Sequence, residues 1–273
     1  MRSWITSSAN RAAFQPTTLS ATVSHLVESI RRWFSDDGNK ISLVTVGYTH
    51  LHDLTSPELA RLPSEERDRE FASGKRRQEF LCGRSLLRRM LQDRTGAPAV
   101  GHQLVISKDG KPECVDGPAI SITHAGDRVA CSIADNGAIG IDLEVVAERR
   151  DPMKLANKFF SREESGWLST QPVDRFFMLW VLKEAYVKAI GRSIFGGINR
   201  LRCRVLPPDI DVLGVNDHMR NLCLFAAGEV FLALATTKDS LAEVSISRWD
   251  FSADKFVTND EFSLLATSGE LAE

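Results

Sequence analysis

The sequence predicts an α+β fold with two similar lobes related by a pseudo-twofold axis, each having helices packed on a small, mainly antiparallel sheet. Two observations favour this fold. The order of strand-like, helical and again strand-like runs occurs twice, and 273 residues accommodate two lobes of about 100 residues each. We therefore expect an N-terminal extension and linker over residues 1–40, a first lobe over 41–145, a second lobe over 146–250 and a tail over 251–273.

The first half begins with a β-rich run at 41–47, which follows a partly helical stretch around 26–34. Pro63-Ser64-Glu65-Glu66 predicts the start of a helix, because serine caps the free N–H groups and acidic residues suit the first turn. Apolar residues at helical spacing predict a longer helix over 75–94, with arginines on one face.

Short strand-like runs follow at 103–107, 119–123 and 128–134. Asn136-Gly137 lies between the last of these runs and another strand-like run at 138–141. This dipeptide favours a two-residue turn, so we expect a tight hairpin there.

The second half repeats the order of elements. Helices are predicted over 152–160 and 173–190, with another opened by the capping box Ser161-x-x-Glu164. Strands are predicted at 201–206, 222–226, 230–235 and 244–249.

The composition excludes several classes of protein. The 34 basic and 36 acidic residues give a net charge of -2, so we expect no nucleic-acid or membrane partner. The longest apolar run, 176–182, is far shorter than the roughly 20 residues of a membrane-spanning helix. Five cysteines without a C-x-x-C pair are typical of reduced thiols, which predicts a cytoplasmic protein. Residues 1–27 lack acidic side chains, as transit peptides do, but a nonspecific extension is the favoured interpretation.

Two carboxylates share one face of a predicted strand. In Gly140-Ile141-Asp142-Leu143-Glu144, Asp142 and Glu144 are two residues apart and therefore project together. Paired carboxylates repel each other unless a cation lies between them, and hard oxygen ligands suit Mg²⁺. The alternative is a strand whose polar face is simply solvated.

A second pair lies on the helix predicted over 173–190. Glu184 and Lys188 are four residues apart, on one helical face. Taken alone, such a pair is usually a surface ion pair of small energetic value. The surrounding sequence is almost entirely apolar, and a buried helix does not carry charges without partners. We therefore interpret both residues as functional.

Two weaker signals complete the pattern: Gly110-Lys111-Pro112 and Ser121-Ile122-Thr123-His124. Three further motifs follow in the sequence: Gly140-Ile141-Asp142-Leu143-Glu144, Phe159-Phe160-Ser161-x-x-Glu164 and Trp180-x-x-Lys183-Glu184-Ala185-x-x-Lys188-Ala189. Together, the five motifs resemble the signature motifs of the Sfp-type 4′-phosphopantetheinyl transferases. The similarity covers about residues 41–250, and the last motif is the most specific.

The resemblance implies transfer of the 4′-phosphopantetheine arm of coenzyme A to a serine of an acyl, peptidyl or polyketide carrier protein, with release of 3′,5′-ADP. It implies that Asp142, Glu144 and Glu184 hold Mg²⁺, with Mn²⁺ as an alternative ion, and that Lys188 meets the pyrophosphate. The same similarity assigns contacts with coenzyme A to Lys111, Pro112, Thr123 and His124. The candidates for the 3′-phosphate are Arg67, Arg77 and Arg84, because guanidinium groups grip phosphate in two places.

Some points stay open in the sequence. Glu144 or Glu184 could accept the serine proton, directly or through a metal-bound water. Cys114 and Ala125 depart from the family pattern near the nucleotide rather than near the metal. We expect a monomer with the site in a cleft between the lobes. The alternatives are a noncatalytic family member that binds coenzyme A or a carrier, and a different Mg²⁺-dependent phosphotransferase or hydrolase.

Overall fold

A computed structural model of the chain describes residues 44–135, 137–146, 151–192, 194–215, 219–237 and 244–268. The extension and linker predicted over 1–40, with the helical stretch around 26–34, lie outside the described residues. None of the helices within the described ranges is long and apolar enough to span a membrane.

Helices and strands alternate in groups along the chain. The helices are α1 (Ser56–Ala60), α2 (Ser64–Arg67), α3 (Gly74–Thr95), α4 (Pro152–Phe159), α5 (Arg162–Leu168), α6 (Asp174–Ala189) and α7 (Ile194–Gly197). The strands are β1 (Val44–His50), β2 (Leu104–Ile106), β3 (Pro112–Cys114), β4 (Ala119–Ala125), β5 (Arg128–Ala134), β6 (Ile139–Val145), β7 (Leu201–Leu206), β8 (Asp209–Val215), β9 (Met219–Ala227), β10 (Val230–Thr237), β11 (Val244–Asp250), β12 (Lys255–Thr258) and β13 (Ser263–Thr267).

The first sheet has the strand order β12-β11-β1-β5-β4, in which only the β1–β11 pair is parallel. Helix α3 covers one face. Ser73 caps its N-terminus by accepting a hydrogen bond from the Arg76 N–H, and Gly96 ends it with a left-handed φ of 71°. Leu87 and Met90 of α3 are buried in one apolar cluster with Ile133 of β5, which fixes the helix on the sheet.

The second sheet has the order β6-β10-β9-β13-β8-β7, with one parallel pair, β8–β13. Helix α6 packs against β6 and β10. Most of its side chains are buried, including Phe177, Leu179 and Leu182, because helices α4 and α5 and the sheet surround it. This explains why its sequence is apolar on nearly every face.

The two sheets meet where their edge strands β4 and β6 lie side by side. The Ile141 N–H of β6 donates to the Ser121 hydroxyl of β4 at 3.2 Å, and the Leu143 N–H donates to the Thr123 hydroxyl at 3.2 Å. Serine and threonine hydroxyls thus replace the main-chain ladder at this junction and satisfy buried N–H groups. A single apolar cluster that includes Val46 of β1 and Leu232 of β10 spans both sheets.

The α+β class and the mainly antiparallel sheets are confirmed, but the hairpin predicted at Asn136-Gly137 is wrong. Strand β5 pairs with β1 and β4, whereas β6 pairs with β10 in the other sheet. Both edges of β5 are therefore already occupied when the chain reaches β6. The tight hairpin is the β4–β5 connection, where Gly126 has a φ of 62°.

Strand pairing also crosses the lobe boundaries proposed from the sequence, at 145/146 and 250/251. Strand β6 of the first segment belongs to the second sheet, and β11 of the second segment pairs with β1. Strands β12 and β13 of the predicted tail join one sheet each. The division into segments stays a prediction.

Candidate functional site

Strand β6 places Asp142 and Glu144 at the junction of the sheets. Alternation along the strand puts Ile141 and Leu143 into the apolar cluster shared by both sheets and turns the two carboxylates the other way. Both are nonetheless buried, with 3% and 8% of their surface exposed. Buried carboxylates require charged or hydrogen-bonding partners, so their surroundings decide what they can do.

Helix α6 brings Glu184 and Lys188 against this strand because residue 140 is glycine. A Cβ atom on Gly140 would overlap the main-chain oxygen of Ala185 and the main-chain nitrogen of Ala189. The missing side chain lets the helix backbone lie directly on the strand. Sequence reasoning included Gly140 in a motif but did not identify this role.

Asp142 is the centre of the polar contacts. Its Oδ1 atom accepts a hydrogen bond from the Lys188 ammonium at 2.6 Å and another from the Thr123 hydroxyl at 2.9 Å. Its Oδ2 atom is buried and has no hydrogen-bond partner among the described residues. A carboxylate with one satisfied and one vacant oxygen can accept a further cation or donor.

Glu184 is electrostatically coupled to both carboxylates of β6. Burial, followed by the charges of Asp142 and Glu144, raises the pKa of Glu184 to about 7, although Lys188 opposes the change. Repulsion among carboxylates in a poorly solvated place has this effect on a carboxyl group. The three acids predicted as metal ligands therefore lie in one electrostatic unit, together with Lys188 and Thr123.

His124 lies next to this unit, half exposed on β4. Its Nδ1 atom is 3.6 Å from the Glu79 carboxylate of α3. Burial lowers the pKa of His124, Glu79 and Asp142 raise it, and Lys188 and Lys75 lower it further. The imidazole thus responds to Asp142 and Lys188. Sequence reasoning missed Glu79, whose position on an arginine-rich helix gave no signal.

Lys111 lies on the turn before β3, and Pro112 is the first residue of that strand. The Lys111 ammonium donates to two main-chain oxygens, those of Ile139 at 2.9 Å and Ala189 at 3.4 Å. Burial lowers the pKa of Lys111. Lys111 therefore contacts the start of β6 and the end of α6, the two elements that carry the acidic unit.

Two of the three candidate arginines lie together, apart from the third. Arg67 and Arg77 are joined by a hydrogen bond from the Arg77 guanidinium to the Arg67 main-chain oxygen at 3.2 Å. They line a cavity of about 380 Å³, whose lining residues are Arg67, Asp68, Arg69, Glu70, Phe71 and Arg77. Arg69, which the sequence reasoning missed, lies over the Phe71 and Phe80 rings. The Arg67 guanidinium already pairs with the Asp68 carboxylate, and Glu70 also lines the cavity, so an anion there would compete with these two acids for the arginines.

Arg84 occupies a different environment. Only 6% of its surface is exposed, its Nε atom is 3.7 Å from the Glu66 carboxylate, and its guanidinium lies 5.2 Å from the Phe80 ring centre. Burial lowers the pKa of Arg84. Its binding role stays a prediction, and it does not line the cavity of Arg67 and Arg77.

Comparison of the sequence with known proteins identifies the family of this chain. A sequence model of the 4′-phosphopantetheinyl transferase superfamily matches residues 138–230, from the start of β6 to β10. The chain is 31% identical over 149 residues to the 4′-phosphopantetheinyl transferase AcpT of Escherichia coli O157:H7, which covers 52% of this chain and 72% of AcpT. The chain belongs to the 4′-phosphopantetheinyl transferase superfamily.

Two further relatives are matched over a smaller share of their own length. A putative 4′-phosphopantetheinyl transferase of Synechocystis is 31% identical over 57% of this chain and 63% of its own length. The 4′-phosphopantetheinyl transferase gsp of Aneurinibacillus migulanus is 33% identical over 44% of this chain and 51% of its own length. The chain thus spans about half to two thirds of these two relatives. The superfamily match includes Asp142, Glu144, Glu184 and Lys188 but begins after the Lys111 and His124 motifs.

The superfamily resemblance raises the question of a metal. Within the described residues, no three His, Cys, Asp or Glu side chains are arranged to hold a metal ion. The Lys188 ammonium neutralises part of the charge instead, through Asp142. The chemistry of the donors still fits a divalent cation, because Asp142 Oδ2 is buried without a hydrogen-bond partner among the described residues, and Glu184 is repelled by the charges of Asp142 and Glu144.

Proposed function

We propose that this protein transfers the 4′-phosphopantetheine arm of coenzyme A to a serine hydroxyl of an apo acyl, peptidyl or polyketide carrier protein. The serine oxygen forms a bond to the phosphorus of the arm, the bond from that phosphorus to the nucleotide breaks, and 3′,5′-ADP leaves. The observation that carries the proposal is the unit of Asp142, Glu144 and Glu184 around Lys188, at the place where the superfamily match lies.

In this proposal Asp142, Glu144 and Glu184 hold Mg²⁺, or Mn²⁺ in its place. The bound ion supplies neutralisation of the negative charge on the pyrophosphate during transfer. Asp142 offers its unpartnered Oδ2 atom, and Thr123 keeps the Asp142 carboxylate oriented through Oδ1. Catalysis then consists mainly of positioning and electrostatic stabilisation.

Lys188 has two roles in turn. It neutralises Asp142 in the unliganded protein, and it would bind the pyrophosphate oxygens if a cation took over the charge of Asp142. An ammonium suits this exchange because it is a compact charge with three donors on a flexible stem. His124, beside Lys188, is placed to contact the phosphate or ribose of coenzyme A, and the cavity of Arg67 and Arg77 is the candidate site for the 3′-phosphate.

The proton of the attacking serine passes to Glu184 or Glu144. Both carboxylates belong to the acidic unit beside Lys188, and either could accept the proton directly or through a metal-bound water. The monomeric state and the cytoplasmic location expected from the sequence remain predictions.

One experiment tests the proposal against its alternatives. The protein is incubated with Mg²⁺, coenzyme A and an apo carrier protein, and mass spectrometry should find a gain of about 340 Da on the carrier serine, the size of the transferred group. A control with EDTA should show no gain. Coenzyme A binding without any gain on several carriers would support a noncatalytic protein, and release of 3′,5′-ADP without a carrier would support a hydrolase.

A further inference from the structure

The Lys111 side chain extends from the β2–β3 hairpin to the main chain of β6 and α6, the two elements that carry the acidic unit. The turn before Lys111 is well defined: Gly110 has a φ of 85°, and the Lys111 N–H donates to the Ser107 hydroxyl at 3.1 Å. From there the ammonium reaches the Ile139 oxygen at 2.9 Å and the Ala189 oxygen at 3.4 Å. A single side chain therefore bridges β6 and α6.

Both contacts lie close to functional residues. Ile139 is the first residue of β6, three positions before Asp142. Ala189 is the last residue of α6 and follows Lys188 directly. A carbonyl in the last turn of a helix has no partner within the helix, and the negative end of the helix dipole favours a cation there. Lys111 supplies that cation.

Lys111 is half-buried, and moving an ammonium even partly out of water costs free energy that its hydrogen bonds must offset. A buried charge is unfavourable unless hydrogen bonds compensate it, and two of the three ammonium donors of Lys111 are used on carbonyl oxygens. An ammonium that binds phosphate as its main task would instead be expected to keep its donors in an open pocket. The Lys111 side chain does not line the cavity of Arg67 and Arg77.

We propose that Lys111 is a positioning residue, which holds the C-terminal end of α6 against the start of β6 and thereby keeps Lys188 and Glu184 facing Asp142, and that it is not a phosphate ligand. The proposal rests on the function proposed above, since the geometry it maintains is that of the transfer site. It reverses the role that the family resemblance implies for Lys111.

The variant Lys111→Met tests this role, with Lys108→Met as the matched control, because Lys108 is exposed on the same turn. Loss of a charged hydrogen bond corresponds to about a tenfold or greater fall in kcat when the contact orients the reacting groups. The KM for coenzyme A should change by less than about threefold, since uniform binding is untouched. Lys108→Met should resemble the wild type in both constants.

Dephospho-coenzyme A, which lacks only the 3′-phosphate, separates positioning from phosphate binding. The preference for coenzyme A over dephospho-coenzyme A, measured as the ratio of kcat/KM values, should be the same in Lys111→Met and in the wild type. A collapse of this preference, or a raised KM with an unchanged kcat, would overturn the proposal and make Lys111 a ligand of coenzyme A.

Hydrogen exchange provides a readout that does not depend on activity. Amides of residues 139–145 and 184–192 should exchange faster in Lys111→Met than in Lys108→Met, while α3 amides stay unchanged. Equal exchange in the two variants would overturn the proposal. If Lys111→Met does not fold, Lys111→Gln, which keeps one donor group, carries the same measurements. A wild-type protein without transfer activity would refute the proposed function and leave the exchange test intact.

Discussion

Helix α6 presents two lysines, five residues apart, to two different carboxylates, and the two pairs behave differently. Lys183 and Glu164 are fully buried, with their charged atoms 2.8 Å apart. Lys188 and Asp142 are 2.6 Å apart, but 31% of the Lys188 side chain is exposed. The same chemical pair therefore occurs once in a closed environment and once in an open one.

The difference lies in how completely each pair is satisfied. Besides Glu164, the Lys183 ammonium donates to the main-chain oxygens of Ile198 and Leu201. Glu164 also accepts hydrogen bonds from the Cys203 and Ser161 N–H groups, so it caps α5 and ties it to β7. A fully satisfied ion pair such as Lys183–Glu164 stabilises one structure. In the Lys188–Asp142 pair, one carboxylate oxygen lacks a partner and neighbouring acids repel each other, so this pair can still bind a ligand.

Breaking the closed pair should have the largest effect on stability. Lys183→Met leaves the Glu164 carboxylate buried without its cation, which costs about 3–5 kcal/mol of unfolding free energy. Urea denaturation followed by circular dichroism measures this cost. The double variant Lys183→Met/Glu164→Gln should lose less unfolding free energy than the two single variants combined, because it leaves no unpaired charge in the core.

Lys188→Met is the matched control for that comparison. Because the position of Lys188 is partly exposed, the acids that remain can take up a proton or a cation, so the loss of stability should be smaller and Mg²⁺ should reduce it further. An equal loss in Lys183→Met and Lys188→Met would show that the two pairs do not differ as described.

The open region should show the largest effect on activity. Glu184→Gln keeps the size of the side chain but removes one of the three acids and a candidate proton acceptor, so transfer should fall by at least about 100-fold, or roughly 3 kcal/mol. Coenzyme A should still bind, as measured by calorimetry. Glu163→Gln, on the exposed face of α5, is the control and should transfer normally. Near-normal transfer by Glu184→Gln would contradict the assignment.

The junction between the sheets should show an intermediate effect. Thr123→Val removes the hydroxyl that donates to Asp142 and accepts from the Leu143 N–H, and it leaves that N–H buried without a partner. The expected loss is about 1–3 kcal/mol of unfolding free energy, because an unsatisfied buried donor keeps its desolvation cost. Thr123→Ser keeps the hydroxyl and should lose less in the same denaturation experiment. Equal losses would mean that the hydroxyl does not join the strands.

Local sequence patterns predicted the elements of the site better than their pairing. Alternation placed Asp142 and Glu144 on one strand face, and helical spacing placed Glu184 and Lys188 on one helix face, because both periodicities are properties of a few consecutive residues. The hairpin at Asn136-Gly137 is wrong because pairing depends on which strand edges are occupied, and β1, far away in the sequence, occupies one edge of β5.

Long-range contacts also decide what individual cations do. The sequence proposed Arg84 and Lys111 as ligands of coenzyme A but did not predict their contacts within the protein, which are Glu66 and the Phe80 ring for Arg84 and two main-chain carbonyls for Lys111. The sequence showed Glu164 and Lys183 in two separate motifs but did not predict that they form an ion pair, since 19 positions separate them along the chain. Such partners are fixed by folding and leave no local pattern.

The pH dependence of stability has the most clearly determined sign of these predictions. The pKa of Glu184 is raised to about 7, so the folded protein holds this proton more tightly than the unfolded chain does. Its contribution to stability is fully present below the ordinary carboxyl pKa and is lost as the pH rises to about 7, by at most roughly 1.4 kcal/mol per pH unit. Denaturation in EDTA at several pH values should therefore find that the wild type loses stability relative to Glu184→Gln across this window. Mg²⁺ should reverse that loss, since it stabilises the ionised carboxylate. Parallel curves for the two proteins would mean that neither burial nor the acids of β6 raise the pKa of Glu184, and the two lysine pairs would then differ only in exposure.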